Sequence, residues 1–239
     1  MPHRYFTDEI TNGKAYLRSA DAHHLADVMR CKVGEAVIIC DGKGRDYECK
    51  ISNIAQDLVA MDIITDYPNV SEATVAVTVY VGYPKLDKLE WIIEKCTELG
   101  AVRIVPFFSR YCVAKPKKED AKNERYQRIA KEAAKQSGRG IIPIISMPMT
   151  FNEMLTDCVK NDIAFFCYEA GGQDLHSRLD GVRTVSVITG SEGGFTNEES
   201  LAAAKAGCVV VGLGKRILRC ETAPIAALAA VMALTDNLQ

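Results

Sequence analysis

No apolar run in this sequence approaches the roughly 18 residues a membrane-spanning helix needs, so an integral helical membrane protein is not expected. The opening Met1-Pro2-His3-Arg4 lacks the charged-then-apolar pattern of a secretory signal, and the expected location is the cytoplasm. Nine cysteines are present, an odd number with no Cys-x-x-Cys pair, so neither a zinc site nor a disulfide framework is expected. Cys40, Cys96, Cys167 and Cys208 stand inside apolar runs and read as small buried hydrophobes in a reducing compartment. Internal repeats and low-complexity stretches are lacking too, which sets aside solenoids and disordered tails. What remains is a chain of 239 residues, 48% hydrophobic and 25% charged, long enough for one good core or two modest ones.

Two stretches near the C-terminus carry most of the chemical information. One is Thr189-Gly190-Ser191-Glu192-Gly193-Gly194-Phe195, and the other runs Leu213-Gly214-Lys215-Arg216-Ile217-Leu218-Arg219-Cys220-Glu221-Thr222-Ala223. Each follows a short β-branched run, residues 184–188 and 209–211, that reads as a buried strand. Each precedes a helix start. Thr196 with Glu199 spells a capping box, and Thr222 is expected to cap a helix from Ala223 with Pro224 in its first turn. Strand, Gly-rich loop and helix thus occur twice, placing two loops on one edge of a parallel sheet, where open α/β sheets bind ligands. The glycines are expected to let backbone amides approach a ligand. Residues 190–194 lack the Lys-Ser/Thr pair of a P-loop, and Gly212-Leu213-Gly214 lacks the third glycine of a dinucleotide fingerprint. Pattern alone leaves two readings open, a ligand cleft or two tight turns.

The chain divides near residues 67–73, a polar stretch containing proline. Before it, strands are expected at 36–40, 46–51 and 58–64, the first two joined as a hairpin by Asp41-Gly42-Lys43-Gly44, with one helix at about 20–30. A small antiparallel barrel over residues 1–70 accommodates them. After the boundary, strands at 75–81, 102–107, 163–168, 184–188 and 209–211 alternate with helical patterns. Among these helices are one ending at Gly100, a basic one over 119–138, and one opened by Thr150 and Glu153. This alternation predicts an α/β domain over residues 73–239 with a mostly parallel sheet covered on both faces.

The net charge of −2 is unevenly spread. Residues 1–70 hold eight Lys/Arg against eleven Asp/Glu, whereas residues 85–140 hold fourteen against eight. The basic excess centres on Lys115, Lys117, Lys118, Arg125, Arg128, Lys131, Lys135 and Arg139. By itself such a run is an ordinary solvated helix face; beside an RNA-modifying site it becomes a phosphate-contacting surface.

Both C-terminal loops, together with His24-Leu25-Ala26-Asp27-Val28-Met29-Arg30, residues 85–105 (KLDKLEWIIEKCTELGAVRIV) and residues 133–145 (AAKQSGRGIIPII), resemble the SPOUT class of RNA methyltransferases. Within that class the chain is similar to the ribosomal RNA small subunit methyltransferase E family over nearly its whole length. LGKRILRCETA is the most specific element, and Ser191 departs from the family pattern, which has proline there. The resemblance implies a PUA-like N-terminal β-barrel, a C-terminal domain threaded into a trefoil knot, and a homodimer formed through that region. It also implies S-adenosylmethionine as cofactor and N3 of a uridine in 16S ribosomal RNA as target, within the 30S subunit. Cofactor contacts then fall on Tyr168, Glu169, Gly190, Glu192, Gly193, Gly194, Leu213, Gly214, Ile217, Leu218 and Thr222, and RNA contacts on Arg4, Arg30, Arg125 and Arg139. No metal is implied.

At N3 the departing proton leaves charge on O2 and O4 of the ring, which a fixed guanidinium would stabilise. Arg219 is the expected catalytic residue, with an ion pair to Glu221 or Glu192 as its bland alternative. Glu221 is either the base or the group that holds Arg219. Cys220 raises the rival of covalent attack at C5, which N3 chemistry does not need. His23 and His24 read as packing or surface residues. Ile225, Leu228, Ala229 and Met232 recur at helical spacing and offer a dimer surface, or simply cover their own sheet. Two further classes stay open, a 2′-O-ribose RNA methyltransferase and a non-catalytic RNA-binding assembly factor.

Overall fold

The computed structural model describes residues 3–113 and 119–238, and the chain forms two compact units. Lys115, Lys117 and Lys118 of the basic run lie outside the described residues.

The first unit comprises residues 1–72 with residues 134–142. Its strands are β1 (His3–Phe6), β2 (Ile10–Thr11), β3 (Lys14–Arg18), β4 (Ala36–Cys40), β5 (Arg45–Ala55) and β6 (Leu58–Pro68), in the order β1-β4-β5-β6-β3-β2. The β4–β5 hairpin and the β5–β6 pairing are antiparallel, but β1 joins β4 in parallel, so the sheet is mixed. Register shifts at Glu48/Cys49 and Ile51/Asn53 mark bulges, which increase strand twist and coil a sheet. Tyr5 from β1 and Ile10 from β2, at opposite edges, consequently pack on one core with Leu17, Ile39, Ile51 and Met61. The expected helix at 20–30 is a short α1 (Ser19–His23) continued by a π-helical turn (His24–Val28). The inclusion of residues 134–142 has a clear cause. Ala134 packs with Phe6 and Cys40, while Glu72 ion-pairs with Arg139 at 2.7 Å and accepts the amides of Gly140 and Ile141.

The second unit comprises residues 73–133 and 143–239. Its strands β7 (Ala76–Gly82), β8 (Arg103–Phe108), β9 (Ile144–Ile145), β10 (Met149–Thr150), β11 (Ile163–Cys167), β12 (Thr184–Thr189) and β13 (Val209–Val211) are all paired in parallel. The order is β10-β8-β7-β12-β11-β13, with β9 beside β8. Their near-continuous apolar runs are buried because helices cover the faces. Those helices are α2 (Lys88–Glu98), α3 (Glu119–Gln136, whose last residues group with the first unit), α4 (Phe151–Cys158), α5 (Asn197–Ala206) and α6 (Thr222–Leu234). Thr150 and Thr196 each close a complete capping box, with Glu153 and Glu199. Thr222 does not cap α6. It is already the first helical residue, preceded by an αR Glu221, and its amide and that of Ala223 donate to the Arg219 carbonyl. Among the described residues, no helix is long and apolar enough to cross a membrane.

The order of the strands also locates a crevice. From β7 the chain runs outward through β8 to β10, then returns to β11 on the other side and inserts β12 between β7 and β11. Such a reversal opens a gap beyond the carboxyl ends of the strands, the usual ligand position of an open parallel sheet.

Candidate active site

A cleft of about 500 Å³ opens at those carboxyl ends. Four loops build it: Tyr168-Glu169 after β11, Gly190 to Phe195 after β12, Leu213 to Cys220 after β13, and the entry to α2 after β7, which contributes Lys88. Of the expected cofactor contacts, Tyr168, Glu169, Gly190, Glu192, Gly193, Gly194, Leu213, Gly214, Ile217 and Leu218 all line it, and Thr222 does not. Ile217 stands at the lip rather than in a wall, 87% exposed. The loops brace one another: the Tyr168 amide donates to Val211 O at 2.9 Å, and Gln173 N to Val210 O at 2.8 Å.

Two of the cleft glycines also sit where an added side chain would meet a neighbouring residue. A Cβ on Gly193 would lie 2.6 Å from Cβ of Tyr111, and one on Gly194 would lie 2.8 Å from Oε1 of Glu169. Gly194 also adopts φ +65°, and its amide closes the turn onto Ser191 O at 2.9 Å. Gly193 lines the cleft, and its missing side chain also leaves room for the Tyr111 side chain.

Charge in the cleft is organised by a residue the motifs did not flag. The Lys88 ammonium stands 3.2 Å from Glu192 Oε1 and 3.2 Å from Glu221 Oε2, and it donates to Cys220 Sγ at 3.6 Å. The Lys85 amide donates to the same Glu192 oxygen at 3.0 Å. Between them Leu86 takes a left-handed φ of +58°, rare for such a side chain, which folds the turn so that both donors reach one oxygen. Burial opposes the charge on Lys88, yet Glu221 and Glu192 outweigh it and raise the pKa. Burial likewise opposes ionisation of Glu192, but the amides of Lys85 and of Glu192 itself, with Lys88, hold it below its ordinary value. Glu221 is lowered first by the Cys220 thiol, which donates to it at 3.1 Å, then by its own amide and Lys88. Cys220, 6% exposed, is pushed up to about 12, chiefly by burial and then by Glu221.

Arg219 is exposed on the cleft wall, and among the described residues its guanidinium has no hydrogen-bond or ion-pair partner. Neither Glu192 nor Glu221 holds it, because both are engaged by Lys88. The expected RNA contacts divide in two. Arg30 is exposed, and Arg125 is exposed in an ion pair with Glu90 at 2.7 Å. Arg4 and Arg139 are instead engaged in ion pairs within the first unit. Arg4 grips Asp46 at 2.5 Å and donates to the Arg139 carbonyl at 3.2 Å, while Arg139 is 2% exposed and bound to Glu72. The Arg139 guanidinium, so enclosed, presents little charge to a phosphate. The histidines hold structural contacts, His24 with the Tyr5 hydroxyl at 2.9 Å and His23 with Asp27 at 2.6 Å. Sequence reading missed Lys88 because its partner Cys220 is 132 positions away. Nothing local marks it apart from other helix-entry lysines.

A glycine-braced cleft at the reversal point of an all-parallel sheet is matched by the RNA methyltransferase domain family over residues 71–232, and residues 17–59 match the RNA methyltransferase PUA domain. The class is thereby an RNA methyltransferase with an N-terminal PUA domain. Ribosomal RNA small subunit methyltransferase E of Bacillus subtilis (strain 168) is 35% identical, the match covering 92% of this chain and 90% of that protein. Its counterpart in Synechocystis sp. is 34% identical over 96% of this chain and 76% of that one. The crystal structure of ribosomal RNA small subunit methyltransferase E from Neisseria gonorrhoeae, bound to S-adenosyl methionine, superposes with a TM-score of 0.90. It shares 26% identity and 98% coverage of both chains. The chain belongs to the ribosomal RNA small subunit methyltransferase E family.

Proposed function

We propose that this protein transfers a methyl group from S-adenosylmethionine to N3 of a uridine in 16S ribosomal RNA. The cleft fits the cofactor on its own chemistry. Its volume lies in the range that holds small ligands, and apolar Leu213 and Leu218 face polar loop backbone and a set of fixed charges. The Neisseria gonorrhoeae relative, bound to S-adenosyl methionine, supports the same ligand here. The sulfonium of the bound cofactor supplies an activated methyl group, which leaves the protein to position the nucleophile and stabilise its charge.

The observation that carries the reading is the unpaired Arg219. With both neighbouring carboxylates tied to Lys88, its guanidinium is free to face O2 and O4 of the ring as N3 loses its proton. Glu221, ion-paired and held in its ionised form, anchors the loop that presents Arg219. Covalent attack from Cys220 needs a thiolate, and a buried thiol raised to about 12 does not provide one near neutral pH. We expect Cys220→Ala to retain activity; an inactive variant that folds and binds cofactor would favour C5 chemistry. RNA is met by the exposed arginines Arg30, Arg125 and Arg128, and the surface pair Arg125–Glu90 exchanges readily for a phosphate. The target implies a cytoplasmic enzyme, and dimerisation belongs to the same reading. Incubating the protein with 30S particles and labelled cofactor, followed by mass spectrometry of the nucleosides, tests it. 3-Methyluridine is the expected product, and a 2′-O-methylated or 5-methylated nucleoside would overturn the assignment.

A further inference from the structure

Ser191 lines the cleft two residues beyond the end of β12. It is 5% exposed, and its hydroxyl is the one buried side-chain polar atom among the described residues without a hydrogen-bond partner. The buried hydroxyl of Ser186, earlier on that strand, is satisfied: its Oγ donates to Cys158 O at 2.7 Å and accepts from Asn161 at 2.8 Å. A native structure seldom leaves such a group unpaired; the oxygen is fully buried as it stands, so a ligand in the cleft reaches it after a turn about χ1. The backbone at Ser191 is fixed, since its carbonyl accepts the Gly194 amide and its nitrogen lies only 2.4 Å from where a Cβ on Gly82 would stand. Freedom remains only at χ1, so the hydroxyl can turn among staggered positions without moving the loop. A serine hydroxyl both donates and accepts, so this wall offers a ligand one such group.

We propose that the Ser191 hydroxyl hydrogen-bonds to the bound S-adenosylmethionine as a positioning contact. The inference rests on the cleft being the cofactor site. Calorimetric titration of the full-length protein with S-adenosylhomocysteine tests it in the wild type, Ser191→Ala and Ser191→Cys; the cysteine keeps the volume and removes the oxygen. Both variants should bind roughly 3- to 10-fold more weakly, the scale of one neutral hydrogen bond, with ligand-free melting temperatures unchanged. Repeating the titration with 5′-methylthioadenosine, which lacks the aminoacyl arm, places the bond. A loss with both ligands puts it on the nucleoside half, and a loss confined to S-adenosylhomocysteine puts it on the arm. Unchanged affinity in both variants overturns the proposal. So does a drop in ligand-free melting temperature large enough to explain the weaker binding, which would assign the hydroxyl to an internal water. A wild type that binds no S-adenosylhomocysteine retires the cofactor reading instead.

Discussion

In the cleft Lys88 is a committed cation, whereas Arg219 has no ion-pair partner among the described residues. Arg219→Ala should leave S-adenosylhomocysteine affinity close to wild type and lower turnover by about 10²–10³-fold, the scale of removing one group that stabilises developing negative charge. Single-turnover assays alongside calorimetry check it, and a comparable loss in affinity would make Arg219 a cofactor ligand instead. Lys88 acts through others, joining the loops of Glu192 and Glu221. Its removal in Lys88→Met should weaken cofactor binding and also change the acid behaviour of the protein. Carboxylates whose pKa is lowered on folding add stability above the ordinary glutamate value of 4.5, and that contribution disappears as pH falls through the folded pKa. The Lys88 amine, with a raised pKa, stays charged throughout that range. Melting temperatures of wild type and variant should therefore differ most near neutral pH and converge in acid; a gap independent of pH would mean that Lys88 contributes only packing. The loop that places Arg219 in the cleft is legible in the sequence because its motif is contiguous, whereas the Lys88 contacts are not, because they exist only once β7 and β12 lie side by side.

At the scale of elements, periodicity and caps carry far. Residues 36–40 and 209–211 read as strands and fold as β4 and β13, and both Thr-x-x-Glu boxes form, since each depends on neighbours within one turn. The entry to α6 misleads for the same reason in reverse. Thr222 looks like a cap, but the preceding Glu221 already has helical geometry, so the donors of the first turn are met by Arg219 O. The glycine loop shows where local reading ends. A glycine pattern reveals that something comes close, and only the fold reveals that at Gly193 it is Tyr111. Gly193→Ala should lower the melting temperature, consistent with an overpacking cost of about 1–3 kcal/mol. Tyr111→Gly removes the opposing Cβ, so the double variant should be more stable than the two single effects added together. Strict additivity, measured by denaturant unfolding of all four proteins, would show that the two residues do not meet.

For the molecule as a whole, the uneven charge is the legible signal and its assignment to residues is not. Arg4 and Arg139 belong to the arginine count of an RNA-binding chain, yet each is ion-paired to a carboxylate of its own unit, Asp46 or Glu72. Threading of the chain, such as the knot the resemblance implies, is a global property that no local pattern encodes. The apolar stripe of α6 is likewise mostly internal: Leu228 and Met232 are buried, leaving Ile225 and Ala229 half-buried, and Trp91 on the adjoining α2 is 52% exposed. We propose that this remaining face, rather than the full stripe, joins two copies about a two-fold axis, since an isologous contact needs one self-complementary patch. If each active site then draws Arg219 from one copy and RNA-contacting arginines from the other, two defective proteins can complement. Arg219→Ala lacks the charge stabiliser, and the double variant Arg30→Ala with Arg128→Ala lacks phosphate contacts. Each should be nearly inactive alone, and mixing them under subunit exchange should restore part of the methylation of 30S particles. Trp91→Glu, which puts a charge on the proposed face, should shift light scattering toward the monomer and abolish that recovery. Full activity in a preparation that light scattering shows to be monomeric at assay concentration would rule out a site shared between subunits.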